Sequence, residues 1–115
     1  MSVRGPELRR RLILEALERT PDGSGGYVEA WIEIGTLWAE VKAGSGRETE
    51  SDFLTLSYVP YRITVRSAPP GDSRRPTPDQ RFREGSRIYR ILAVADADTR
   101  GRFLVCYARE EEASA

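Results

Sequence analysis

A small antiparallel β-barrel of five to six strands, with a long inserted loop, is the fold class this 115-residue sequence predicts. Three observations point there. Apolar residues recur with a period of two through most of the chain, which marks half-buried strands. Glycine- and proline-rich turn signals separate these runs at short intervals. Almost nothing reads as helix, and closing so short a sheet removes edges that would otherwise be exposed.

The elements follow in order. Residues 1–8 are expected to be a flexible N-terminus, with Gly5-Pro6 as a breaker pair. Residues 8–19 consist of good helix formers, and Leu8, Leu12 and Ala16 fall on one helical face. Read by itself, this segment is a short helix. As a strand it would place Leu12, Leu14 and Ala16 on one side. Pro21-Asp22-Gly23-Ser24-Gly25-Gly26 is a turn, since glycine takes positive φ without steric cost. From Tyr27 to Ile34, Val28, Ala30, Ile32 and Ile34 share one face, and Tyr27, Glu29, Trp31 and Glu33 the other. Gly35 interrupts the run as a bulge or bend. The alternation then resumes with Leu37, Ala39 and Val41 opposite Thr36, Trp38, Glu40 and Lys42.

Residues 44–57 change character, from Gly44-Ser45-Gly46 through a polar, mostly acidic stretch to Phe53-Leu54-Thr55-Leu56. Such an insertion exceeds what a connection needs, so it is expected to dock on something. Tyr61, Ile63 and Val65 alternate inward. Residues 67–86 are expected to be a Pro/Arg-rich loop. Arg87–Val94 and Arg102–Tyr107 read as two nearly continuous apolar strands joined by a hairpin loop. Residues 110–115 are expected to form an acidic, disordered tail, which leaves 9–109 as one β-barrel domain.

Composition narrows the function. The chain has no histidine, which removes the commonest general base and metal ligand. The lone Cys106 can build neither a thiolate metal site nor an intramolecular disulfide, and its apolar surroundings make it a buried small hydrophobe. Asp96, Asp98 and Thr99 lack the later glycine and glutamate of a calcium loop. The glycines at 23–26 precede neither a Gly-Lys-Ser/Thr run nor a helix, so they form no phosphate loop. No catalytic, cofactor or metal site is expected. No apolar run reaches bilayer-spanning length, and Arg9-Arg10-Arg11 followed by a short apolar stretch with Glu15 lacks the signal-peptide pattern.

Net charge is zero, but it is unevenly placed. Residues 29–53 hold two cationic and six anionic side chains, whereas residues 62–90 hold eight cationic and three anionic ones. Every cation except Lys42 is arginine, the residue favoured in bidentate and interfacial pairs. Such asymmetry suits head-to-tail association of identical copies, which closes into a ring when the rotation permits.

Four pieces in sequence carry a resemblance: the opening segment with its Pro21–Gly26 turn; Trp31 followed by Leu37-Trp38-Ala39-Glu40-Val41; Ser45-Gly46-Arg47-Glu48 before Tyr61–Arg66; and Thr77-Pro78-Asp79-Gln80-Arg81 before Gly85–Ile91. Over residues 9–109 the chain resembles the head–tail joining proteins of long-tailed phages, including the versions carried by gene transfer agents. It departs from that pattern in its proline-rich stretch at 69–78. The resemblance implies that residues 8–19 are a strand feeding a hairpin. It also implies a non-enzymatic head completion, stopper or adaptor protein in the particle neck, assembled in the bacterial cytoplasm. The partners implied are copies of itself in a six- or twelve-fold ring, a portal-side adaptor, a tail terminator or tail tube protein, and packaged double-stranded DNA, with no membrane.

On that reading Arg47, Glu48, Glu50, Asp52, Phe53, Leu54 and Leu56 form a channel or loop interface. Trp31, Trp38, Arg74, Arg75, Arg81, Arg83 and Arg87 form a subunit or portal-side interface. The competing class is a monomeric nucleic-acid-binding barrel that stacks bases on Tyr61, Tyr89 or Tyr107.

Overall fold

Alternating side chains decide which way each strand faces, and the faces then dictate closure. A computed structural model describes residues 5–44 and 59–111. The described residues form six strands: β1 (Arg10–Pro21), β2 (Tyr27–Ala43), β3 (Pro60–Arg66), β4 (Arg81–Glu84), β5 (Arg87–Asp96) and β6 (Phe103–Glu111). All pairings are antiparallel, and the order β1-β2-β3-β6-β5-β4 closes when β4 pairs with β1. The all-β barrel is the expected architecture.

The opening segment is a strand and not a helix. Its alternation seats Leu12 and Leu14 in the core, where they meet Ala39, Ile63, Val65, Phe82, Tyr89, Ile91, Leu104, Cys106 and Ala108. Burying each large apolar side chain contributes roughly 1.5–3 kcal/mol, far more than the few tenths by which helix propensities differ. Gly35 does mark a bulge. Leu14 lies opposite Gly35 and Glu15 opposite Glu33, so Ile34 is the extra residue.

Three boundaries differ from expectation. The supposed loop at 67–86 contains β4, whose Arg-Phe-Arg-Glu run carries one apolar residue and so gives almost no periodic signal. Phe82 is fully buried, and its two arginine neighbours point outward. The hairpin between the last strands is shorter than expected, because β5 continues to Asp96. Glu110 and Glu111 belong to β6, opposite Tyr89 and Ile88, rather than to a disordered tail. Arg87 neutralises Glu110 with two hydrogen bonds of 2.8 and 3.0 Å, which holds an acidic residue in the sheet.

The barrel has two unlike ends. At one end, inward-facing polar groups cap the core. Arg10 pairs with Glu84, Arg87 pairs with Glu110 and donates to the Tyr61 hydroxyl at 3.2 Å, and Tyr61 meets Tyr89 edge-on at 5.2 Å. Gly44 and Pro60 meet at this end, where Gly44 N donates to Pro60 O at 2.8 Å. At the opposite end β1 and β2 run on past the barrel as a hairpin arm. The arm draws the molecule out to 62 × 36 × 23 Å.

Candidate assembly interface

The arm exists because β1 and β2 pair over twelve residues of β1, from Arg10 to Pro21, while β4 covers only Ile13–Glu15 of it. Its tip is a side-chain-closed turn. Asp22 Oδ1 accepts from Ser24 N at 2.7 Å and Gly26 N at 3.1 Å, and Gly23 and Gly25 adopt φ of 85° and 87°. Beyond the barrel both faces of the arm meet solvent, so Leu17, Tyr27, Val28 and Ile32 are exposed. On the ladder Ala16, Glu18 and Thr20 share a face with Val28, Ala30 and Ile32, and Leu17, Arg19 and Pro21 share the other with Tyr27, Glu29 and Trp31.

A charged cluster pins the arm to the barrel. Glu15 is 5% exposed and accepts from Arg81 Nε at 2.7 Å and Arg83 Nε at 2.8 Å. Burial pushes its carboxyl up. The hydrogen bonds from Arg83 and Arg81 outweigh that and leave it below the ordinary glutamate range. The Glu15 hydrogen bond correspondingly raises Arg83. Trp31 completes the cluster, with the Arg81 guanidinium 4.1 Å and the Arg90 guanidinium 5.4 Å from its ring centroid. Arg90 Nε is buried without a hydrogen-bond partner among the described residues, and the guanidinium lies between the indole face and Asp79 Oδ1, which is 3.8 Å from Nη2.

The arginines and tryptophans singled out in the sequence therefore divide among three places. Trp31, Arg81 and Arg83 meet at the arm base. Trp38 stands exposed on the outer face of β2, beside a groove of about 270 Å³ that Leu8, Arg66, Ala68 and Arg74 also line. Arg74 is clamped to Asp72 by bonds of 2.8 and 3.0 Å, which hold that carboxyl at about 2. Arg75 braces the loop before β4 through Ala68 O at 2.9 Å. Arg87 sits at the far end, where the bond to Glu110 raises it above its ordinary value. Arg47, Glu48, Glu50, Asp52, Phe53, Leu54 and Leu56 lie outside the described residues.

Sequence reasoning missed Glu15, Arg90 and Glu33, whose Oε2 lies 4.0 Å from Arg83 Nη2 at the edge of the cluster. The available signal was Glu15 breaking the apolar face of β1, a pattern that asks for a cation across the sheet. The stacking platforms of a nucleic-acid-binding barrel do not assemble. Tyr89 is fully buried, Tyr61 packs edge-on against it, and of the three only Tyr107 is exposed. Cys106 is buried as expected, and desolvation pushes its thiol up to about 12.

Comparison with known proteins agrees with this architecture. A family profile described as phage head completion protein matches residues 3–111. Among solved structures, a chain in the virion of a native gene transfer agent particle is 54% identical, with a TM-score of 0.77 over 96% of this chain and 100% of that one. The solution structure of protein SF1141 from Shigella flexneri 2a is 26% identical, with a TM-score of 0.70 over 90% of this chain and 92% of that one. No curated protein matches the chain.

Proposed function

Because the chain belongs to the phage head completion protein family, we propose that it forms a ring at the neck of a long-tailed phage or gene transfer agent particle, where it seals packaged DNA and docks the tail. The role is structural and non-catalytic. The observation that carries this reading is the polarity of a closed barrel. The β1–β2 hairpin arm extends from one end, and the Arg10–Glu84 and Arg87–Glu110 pairs cap the other. A barrel with two unlike ends suits a component that joins two different assemblies.

On this reading one end meets a portal-side adaptor and the other a tail terminator or tail tube protein, with double-stranded DNA passing along the axis of a six- or twelve-fold ring. The acidic stretch within residues 44–57 supplies a repulsive surface, along which DNA slides without being gripped. Assembly takes place in the bacterial cytoplasm. Deleting the coding sequence is expected to yield filled heads that lose DNA and carry no tails, with both defects restored by expression in trans. Tailed, DNA-retaining particles from the deletion strain would overturn the assignment.

A further inference from the structure

The hairpin arm leaves two strand edges without a neighbour among the described residues. β1 pairs with β4 only at Ile13, Leu14 and Glu15, so its outer edge is bare over residues 16–21. β2 pairs with β3 only from Ala39 to Ala43, and the segment after β3 shares a groove with Thr36–Trp38, so the outer edge of β2 has no strand neighbour over residues 27–35. Folded proteins normally blunt long edges with inward charges, prolines or covering loops, because a bare edge recruits another strand.

The turn shows which backbone groups point outward. Asp22 N donates to Gly26 O at 3.1 Å, which makes these two a hydrogen-bonded pair. Such pairs alternate along an antiparallel ladder. Thr20/Val28, Glu18/Ala30 and Ala16/Ile32 therefore bond within the arm. Pro21/Tyr27, Arg19/Glu29 and Leu17/Trp31 direct their backbone groups outward. Pro21 occupies an outward position, where its missing N–H takes nothing from the arm's own ladder.

We propose that neighbouring copies of this chain join arm to arm, with the bare β1 edge of one copy pairing antiparallel with the bare β2 edge of the next. The inference rests on the ring reading and supplies its contact. Three observations name a second copy as the occupant. Because β1 and β2 are antiparallel within the arm, two arms side by side and pointing the same way bring β1 of one against β2 of the next in antiparallel sense. The two edges differ, so the contact is heterologous, the kind that closes a ring. The outward position on β1 carries Arg19 and its counterpart on β2 carries Glu29. These already pair at 3.2 Å within one arm, and the same alternation of charge continues from arm to arm.

Geometry adds a consequence. A two-stranded arm is about 10 Å wide in the hydrogen-bonding direction, whereas the narrowest dimension of the molecule is 23 Å. The arms therefore meet on the inner side of the ring, with the barrels outside.

Arg19→Pro and Glu29→Pro each remove one outward N–H and leave the internal ladder intact. Each variant alone is expected to stay monomeric by native mass spectrometry at concentrations where the unaltered chain forms rings. An equimolar mixture is expected to stop at heterodimers, since one good β1 edge and one good β2 edge remain. Rings from either variant alone would sink the proposal. Amide exchange on the unaltered chain tests it without substitution: Leu17, Arg19, Glu29 and Trp31 N–H groups should slow roughly 100-fold between monomer and ring. Rings in which these amides still exchange freely overturn the arm contact and leave the ring standing. A chain that never forms rings, alone or on its partners, overturns the ring reading and the contact with it.

Discussion

Glu15 holds more of the architecture than any other single polar group. It is the one buried acid among the described residues, and its two carboxylate oxygens each take an arginine from β4. Replacing it with alanine leaves Arg81 and Arg83 facing each other without the carboxylate they share. The expected loss is about 3 kcal/mol in a urea melt at neutral pH, the low end for breaking a buried pair because Arg83 remains partly exposed. The pH dependence has a defined sign. The folded-state pKa lies below the ordinary value of 4.5, so this stabilisation is complete above that value and disappears as pH falls through the folded pKa. Glu15→Gln should therefore be less stable than the unaltered chain at neutral pH, with the gap narrowing below about pH 4.5. Cys106 makes a simpler prediction. Its thiol is buried and pushed to about 12, so a thiol-specific reagent at pH 8 should leave it unmodified until the chain unfolds. Rapid modification of the folded chain would contradict the buried placement.

At the scale of elements, the arm depends on its tip and its base. Gly25 has φ of 87°, and open space surrounds the position a Cβ would take. Gly25→Ala therefore suffers conformational strain alone, about 1–2 kcal/mol. Its effect should appear as faster amide exchange confined to the arm, with barrel amides unchanged. At the base, Trp31→Ala removes the surface on which Arg81 and Arg90 lie. A desolvated cation–π contact contributes roughly 2 kcal/mol. The expected result is a looser arm on an intact barrel, measured as lowered order parameters for residues 16–21 and 27–33. β4 shows how short an element can be and still be indispensable. Its four residues place Phe82 in the core and two arginines on Glu15, and they provide the pairing that closes the sheet.

For the whole molecule, one core serves both ends. Leu12, Leu14, Phe82, Tyr89, Ile91 and Leu104 come from four different strands, so a defect at one is felt around the barrel. Phe82→Ala is expected to cost about 3–5 kcal/mol, enough to unfold much of the population at 37 °C in a domain of this size. A thermal melt within a few degrees of the unaltered chain would contradict the closed-core reading. The capping network of Arg10, Glu84, Arg87 and Glu110 lies at the end where Gly44 meets Pro60. The open-edged arm, on which Leu17, Tyr27, Val28 and Ile32 are exposed, lies at the other. A barrel so polarised presents different chemistry to whatever adjoins each end, as a joint between unlike rings requires.

The strand identity of β2, β3, β5 and most of β6, the inward faces of β3 and of β2 from Leu37 to Val41, the bulge at Gly35, the turn at Gly23–Gly25 and the buried cysteine were legible in the chain, because each follows from local alternation or from a backbone angle that only certain residues accept; the Val28, Ala30 and Ile32 face, which alternation marks as half-buried, is instead exposed on the arm. Residues 10–21 were legible as a strand only through family resemblance, since their propensity favours a helix that the pairing of Leu12 and Leu14 with the core overrides. Tertiary structure alone decided the rest. β4 has too few apolar residues to announce itself and becomes a strand only where the barrel has a gap to close. Glu110 and Glu111 look like a solvated tail until Arg87, twenty-three residues before Glu110, arrives beside them. Glu15, Arg81, Arg83, Arg90 and Trp31 are scattered along the sequence, and only barrel closure brings them to one place. A bare strand edge has no local signature whatever, because it is defined by the neighbour a strand lacks.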